Sequence, residues 1–141
     1  VRKNLPRILI VDDEPDMCWA LENILSTAGY AVTTTTRGAE ALELLAREQY
    51  AAAFVDAKLS DLDGLELAAF ICQLSPPTAV ILISGYFYQE DKTVVEGLEK
   101  NLYVGFVAKP FKLDEVRLIA RRAVELNRKD GLSDVLHSSG G

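Results

Sequence analysis

Hydrophobic positions along the chain switch between two periods. The runs RILIV (7–11), YAVTTT (30–35), AAAFVD (51–56), AVILIS (79–84) and VGFVA (104–108) are short and rich in β-branched or apolar residues, and read as strands. Several are apolar throughout, as strands buried on both faces are. Between them the period lengthens to that of a helix. Met17, Ala20, Leu21, Ile24, Leu25 and Ala28 stripe a first helix that Gly29 stops, and Ala41, Leu42 and Leu45 stripe a second within GAEALELLAREQ. A third is expected from about Leu65 to Leu74, ahead of Pro76 and Pro77, and a weaker fourth around 91–100, containing Gly97. The last carries Leu113, Val116, Ile119, Ala120, Ala123 and Leu126 on one long stripe. From Arg128 onward, RKDGLSDVLHSSGG loses the stripe and reads as a linker or frayed terminus. One domain over 1–127 and a tail over 128–141 are therefore expected.

Five βα units in strict alternation imply an α/β fold: a parallel sheet with right-handed crossovers and helices on both faces. Such sheets form their sites outside the carboxyl ends of the strands. Here the first strand ends in Asp12-Asp13, the third in Asp56, the fourth in Ser84-Gly85, and the fifth just before Lys109-Pro110. Four strand ends thus offer three carboxylates, a hydroxyl and an ammonium to one place.

Composition narrows what that place does. The 141 residues, 49% hydrophobic and 26% charged, suit one globular domain with a real core. A formal charge of −6 argues against nucleic-acid binding by this domain, which needs a basic face. Cys18 and Cys72 are far apart, and the single histidine, His137, is near the chain end, so neither a zinc site nor a disulfide framework is expected. No apolar run approaches the roughly 20 residues of a membrane span, and a cytoplasmic protein is expected. The chain begins with Val1 and its only methionine is Met17, so it is expected to be a piece of something longer.

Three carboxylates in one pocket repel one another, and a divalent cation relieves the conflict. Ligation by oxygen alone favours Mg²⁺, with Mn²⁺ as a substitute. An ion held this way bridges a carboxylate to a phosphoryl group, Lys109 adds a second positive charge, and Ser84 donates to phosphoryl oxygens. That is equipment for phosphoryl transfer, with an aspartate available as the nucleophile. Taken alone, Asp12-Asp13 reads equally as a helix cap and solvated surface, Phe106 as ordinary core, and Ser84 as a hydroxyl bonded to local backbone. Asp61 and Asp63 are expected to shape the turn and cap the third helix. DLDG does not directly follow a buried strand as the haloacid-dehalogenase motif does, and the ladder of an EF-hand loop is missing.

ILIVDDEPD, AAFVDAKLSDLDGLEL, ILISGY and VAKPF, in this order and spacing, resemble the receiver domain of two-component response regulators over roughly residues 6 to 126. The resemblance implies the (βα)5 flavodoxin-like receiver fold with strand order 2-1-3-4-5. It also implies that Asp56 is the phosphoacceptor, that Asp12, Asp13, Asp56 and the Lys58 backbone carbonyl hold the metal, and that Ser84 and Lys109 grip the phosphoryl group. Ser84 and Phe106 would form the switch, Lys58 and Tyr86 would tune dephosphorylation, and Lys109-Pro110 would be cis. The donor would be a sensor histidine kinase or a phosphotransfer protein, and the domain would catalyse its own phosphorylation and dephosphorylation rather than act on a separate substrate. A homodimer through the face of the fourth helix, fifth strand and fifth helix, and a transcriptional output domain beyond the tail, are further family expectations.

Three features depart from the common pattern. Ser60 stands where a proline is usual, Lys58 and Tyr86 are a long cation and a bulky phenol at the tuning positions, and YFYQEDKTVVEGLEKNLYVGF is slightly long and rich in aromatics. The rival readings are a pseudo-receiver that signals by contact without phosphate, which the complete Asp12, Asp13, Asp56, Ser84 and Lys109 set disfavours, and a small freestanding phosphatase or flavodoxin-like enzyme, for which no substrate-binding insertion exists. Trp19 lies off the first helix's apolar stripe, with Glu22, Asn23 and Ser26, and is either a flat surface residue or part of a kinase-docking patch. On the docking reading, Trp19→Ala slows phosphotransfer from the cognate kinase and spares phosphorylation by a small phosphodonor; equal slowing of the two reactions in a time course refutes it.

Overall fold

The computed structural model describes residues 5–85, 92–100 and 102–140, with residues 92–94, 98 and 128–140 described by their backbone alone. Five strands, β1 (Arg7–Val11), β2 (Ala31–Thr35), β3 (Ala52–Asp56), β4 (Ala79–Gly85) and β5 (Gly105–Lys109), alternate with α1 (Pro15–Thr27), α2 (Gly38–Arg47), α3 (Gly64–Leu74), α4 (Lys92–Glu99) and α5 (Leu113–Gly140). The sheet is parallel throughout, in the order β2-β1-β3-β4-β5. This is the strand order implied by the family resemblance.

Side-chain alternation divides the core in two. Ile8 and Ile10 of β1, with Phe54 and Ile81, face Leu21 and Leu25 of α1 and Val116, Ala120 and Ala123 of α5. Leu9 and Val11, with Val55 and Leu82, face Ala41 and Leu45 of α2 and Leu67, Ala68 and Ile71 of α3. Because both faces are covered, β3 is buried at every position and β4 at all but its last. At the sheet edge, β2 leaves Thr33 and Thr34 half-buried, which accounts for the threonine run as strand rather than as a functional motif.

Local chemistry ends the helices where the strands must begin. Pro15 opens α1, where its missing N–H costs nothing. At the other end Gly29, at φ 102°, allows Tyr30 N–H to reach Leu25 O and its own N–H to reach Ser26 O, a Schellman closure. Asp63 caps α3, its Oδ1 accepting from Leu65 N–H at 2.8 Å. Asp61 behaves differently from the sequence expectation: it does not cap α3 but reaches back to α2, accepting from Gly38 N–H at 2.9 Å and Ala39 N–H at 3.1 Å. Helix α5 continues to Gly140, through the residues that the sequence reading marks as a tail. Among the described residues, no helix is long and apolar enough to cross a membrane.

The β3–α3 connection is pressed closely onto the strand. A Cβ at Gly64 would overlap the Asp56 carbonyl oxygen and lie 2.7 Å from Ala57 Cα, and Gly64 N–H donates to Ala57 O at 3.0 Å. Only glycine lets the backbone come this near. Gly64→Ala should lower the unfolding free energy by about 2 kcal/mol, the scale of overpacking against backbone. Urea denaturation with wild-type stability would show that the connection yields instead.

Candidate functional site

Chain continuity and sheet register set the site's parts side by side. Asp12 follows β1, and its own backbone is held from two directions: its N–H donates to Thr35 O at 3.2 Å, and the Cys18 thiol donates to its carbonyl at 3.2 Å. Its side chain is fully buried, with Oδ1 accepting from Glu14 N–H at 2.9 Å. Asp56 ends β3, where its Oδ1 accepts from Lys58 N–H at 3.0 Å. Lys109 ends β5, and the peptide bond from it to Pro110 is cis.

These ends converge. Ligand oxygens of Asp12, Asp13 and Asp56 all lie within 4.8 Å of one another. Lys109 Nζ is 3.2 Å from Asp56 Oδ2, 3.3 Å from Asp12 Oδ2 and 2.9 Å from Glu14 Oε1. Three carboxylates therefore contact one ammonium, with Asp13 beside two of them. The contact to Asp12 is an ion pair without hydrogen-bond geometry, so Asp12 Oδ2 stays buried and without a hydrogen-bond donor. The Ser84 hydroxyl at the end of β4 is likewise buried and without a partner. Buried polar atoms are rarely left this way, and both lie at the strand ends where a ligand's oxygens or a cation would satisfy them.

The charges adjust to the crowding. Burial, reinforced by the neighbouring Asp56 charge, pushes Asp12 from its ordinary 3.8 up to about 6, against the opposing pull of the Glu14 N–H and Lys109. Burial by itself would lower Lys109, but Glu14, Asp12 and Asp56 more than offset it and hold the ammonium charged. Cys18 is pushed the other way from reactivity: burial first, then the Asp12 charge, raise its thiol to about 11. It is a neutral hydrogen-bond donor to the Asp12 backbone rather than a nucleophile.

Lys58 follows two residues after Asp56 and bridges to Asp63 across the connection. Phe106, half-buried on β5, packs its ring on Tyr103 at 6.0 Å between centroids and an interplanar angle of 56°. Tyr86 lies outside the described residues. Trp19 is 68% exposed on α1. Sequence reasoning missed Glu14, although it is the third acid of the run DDE, because nothing local shows that the β5 lysine reaches it. It also missed the Cys18 contact, whose one signal was a cysteine near the start of α1.

Comparison with known proteins gives a consistent family. The family described as the response regulator receiver domain matches residues 8–121. The nitrogen assimilation regulatory protein NtrX of Azorhizobium caulinodans is 38% identical over 123 residues, covering 86% of this chain and 26% of the relative. Among solved structures, NtrX from Brucella abortus superposes with a TM-score of 0.84 at 34% identity, over 93% of this chain and 30% of that one. The response regulator TrrA from Thermotoga maritima, solved in complex with Mg²⁺-BeF, gives a TM-score of 0.74 at 28% identity, over 84% of this chain and 99% of that one. The chain thus spans about a quarter of the length of the NtrX relative.

The raised Asp12 value carries a sign. A carboxyl that binds its proton more tightly when folded contributes stability below about pH 4, and that contribution is lost as pH rises through about 6. At pH 7.5 without divalent cations, Asp12→Asn should therefore raise the unfolding free energy, on the order of 2 kcal/mol, and the advantage should shrink as pH falls through 6. Differential scanning calorimetry across this range checks it; a loss of stability at pH 7.5 would contradict the crowding.

Proposed function

Because the chain belongs to the response regulator receiver domain family, whose function is the phosphorylation-dependent relay of two-component signals, we propose that Asp56 is its phosphoacceptor. The carrying observation is the convergence of Asp12, Asp13 and Asp56 within 4.8 Å, with Lys109 paired to two of them. Receiver domains bind Mg²⁺ at an acidic pocket. The unpartnered Asp12 Oδ2 and the oxygen-only donor set fit that ion, or Mn²⁺ in its place. Asp12, Asp13, Asp56 and the Lys58 carbonyl would hold it, and when bound it would neutralise charge on the transferring phosphoryl group.

The chain's own residues supply the rest. An Asp56 oxygen bonds to phosphorus as the P–N bond of a phosphohistidine breaks, and the histidine ring departs with the electron pair. Lys109, already at Asp56, pairs with the phosphoryl oxygens, and the Ser84 hydroxyl turns to donate to one of them. Phe106 follows Ser84 inward, which shifts the surface formed by α4, β5 and α5. Hydrolysis by water, at a rate tuned by Lys58 and Tyr86, then restores the carboxylate. The domain catalyses both steps on itself. The partner is a sensor histidine kinase or phosphotransfer protein in the cytoplasm; the α4–β5–α5 face is the proposed dimer contact, and the region from residue 128 leads toward an output domain.

Incubation with acetyl phosphate and Mg²⁺, followed by intact-mass measurement, should add one phosphoryl group that does not form when the cation is chelated beforehand and is absent from Asp56→Asn. No adduct on the wild-type chain, or the same adduct on Asp56→Asn, refutes the reading.

A further inference from the structure

The connection that carries Lys58 is held from its far end, away from Asp56, by a residue whose neighbours in sequence give no sign of it. Helix α2 begins after Arg37, which makes no side-chain cap. Its first N–H groups are instead satisfied from the β3–α3 connection, where Asp61 uses one oxygen for Gly38 N–H and the other for Ala39 N–H. The carboxylate also sits at the positive end of the helix dipole. Those two N–H groups hold Asp61 below the usual carboxylate range, so the clamp is charged at any ordinary pH.

A second contact joins the same two pieces. Gly38 has no side chain, and a Cβ there would lie 2.8 Å from Leu62 Cδ1, so Leu62 rests directly on the opening turn of α2. At its base the connection is closed by the Lys58–Asp63 bridge and by Gly64 against Ala57. Its apex, Asp61-Leu62, is thus docked on α2, while its base carries Lys58 and adjoins Asp56. Ser60 leaves the backbone between them without the stiffness of a proline, so the docking must supply the order.

We propose that Asp61 is a positioning residue for the phosphorylation site: by tying the β3–α3 connection to the start of α2, it holds the Lys58 carbonyl and Asp56 in the arrangement a divalent cation requires. The inference rests on the phosphoacceptor reading above. Coupling of this kind is reciprocal. Cation binding therefore slows amide exchange at Gly38 and Ala39, although neither residue belongs to the proposed ligand set.

Calorimetric titration with Mg²⁺, paired with amide hydrogen exchange at Gly38 and Ala39, tests this on the wild-type chain, Asp61→Asn and Asp61→Ala. Asp61→Ala should speed exchange at both amides and weaken Mg²⁺ about 10-fold, the scale seen when a residue supporting a metal ligand is lost. Saturating Mg²⁺ should restore its phosphorylation by acetyl phosphate. Asp61→Asn, which has the same shape and one good acceptor, should fall between, and it decides the question if Asp61→Ala does not fold. Faster exchange with unchanged Mg²⁺ affinity overturns the positioning role, and unchanged exchange overturns the clamp. A wild-type chain that takes up no Mg²⁺ refutes the phosphoacceptor reading itself, an outcome distinct from wild-type binding that Asp61→Ala leaves intact.

Discussion

Too many negative charges have been gathered in too little water. Asp12, Glu14 and Asp56 contact a single ammonium, Asp13 lies beside two of them, and Asp12 is wholly buried. Such a cluster is costly in a folded protein unless something positive stands in it. Lys109 meets part of the demand, and the remainder shows in the upward push on the Asp12 carboxyl, set by its burial and by the neighbouring Asp56. The rest of the architecture can be understood as what keeps these groups from moving apart.

The sheet does most of this work. β1, β3 and β4 lie at its centre, covered by α1 and α5 on one face and by α2 and α3 on the other, so their ends cannot shift without disturbing two cores at once. Close packing makes such cores resistant to small displacements. Asp12 is further tied through Thr35 and Cys18, and Asp56 through Lys58 N–H. Lys109 comes from the edge strand β5, the least enclosed of the contributors, and its three carboxylate contacts hold the end of a long flexible side chain.

The surroundings differ in how firmly they are held. On one side, the β3–α3 connection is anchored at its base by a backbone approach that only glycine permits, at Gly64, and at its apex by the Leu62 side chain resting on Gly38. On the other, Gly97 of α4 meets Tyr103 so closely that a Cβ would lie 2.7 Å from the ring, and Tyr103 in turn packs on Phe106. A chain of contacts therefore runs from α4 through a buried tyrosine to the half-buried aromatic of β5. Tyr103 thus fills the space between Phe106 of β5 and Gly97 of α4.

Much of this was legible in the amino-acid order. Two hydrophobic periods in alternation dictate five βα units, and because parallel strands must all point one way, their carboxyl ends must meet at one edge. Asp12, Asp13, Asp56, Ser84 and Lys109 could be assigned to that edge from position alone. What the sequence could not show was every contact whose partners are far apart in the chain. Asp61, expected to serve its own turn, spends both oxygens on amides more than twenty residues earlier, and Glu14, an unremarked third acid, reaches a lysine on the last strand. Local propensity specifies a residue's own turn and strand. Which distant donor a carboxylate finds is decided only when the helices settle on the sheet and bring those donors within hydrogen-bond reach.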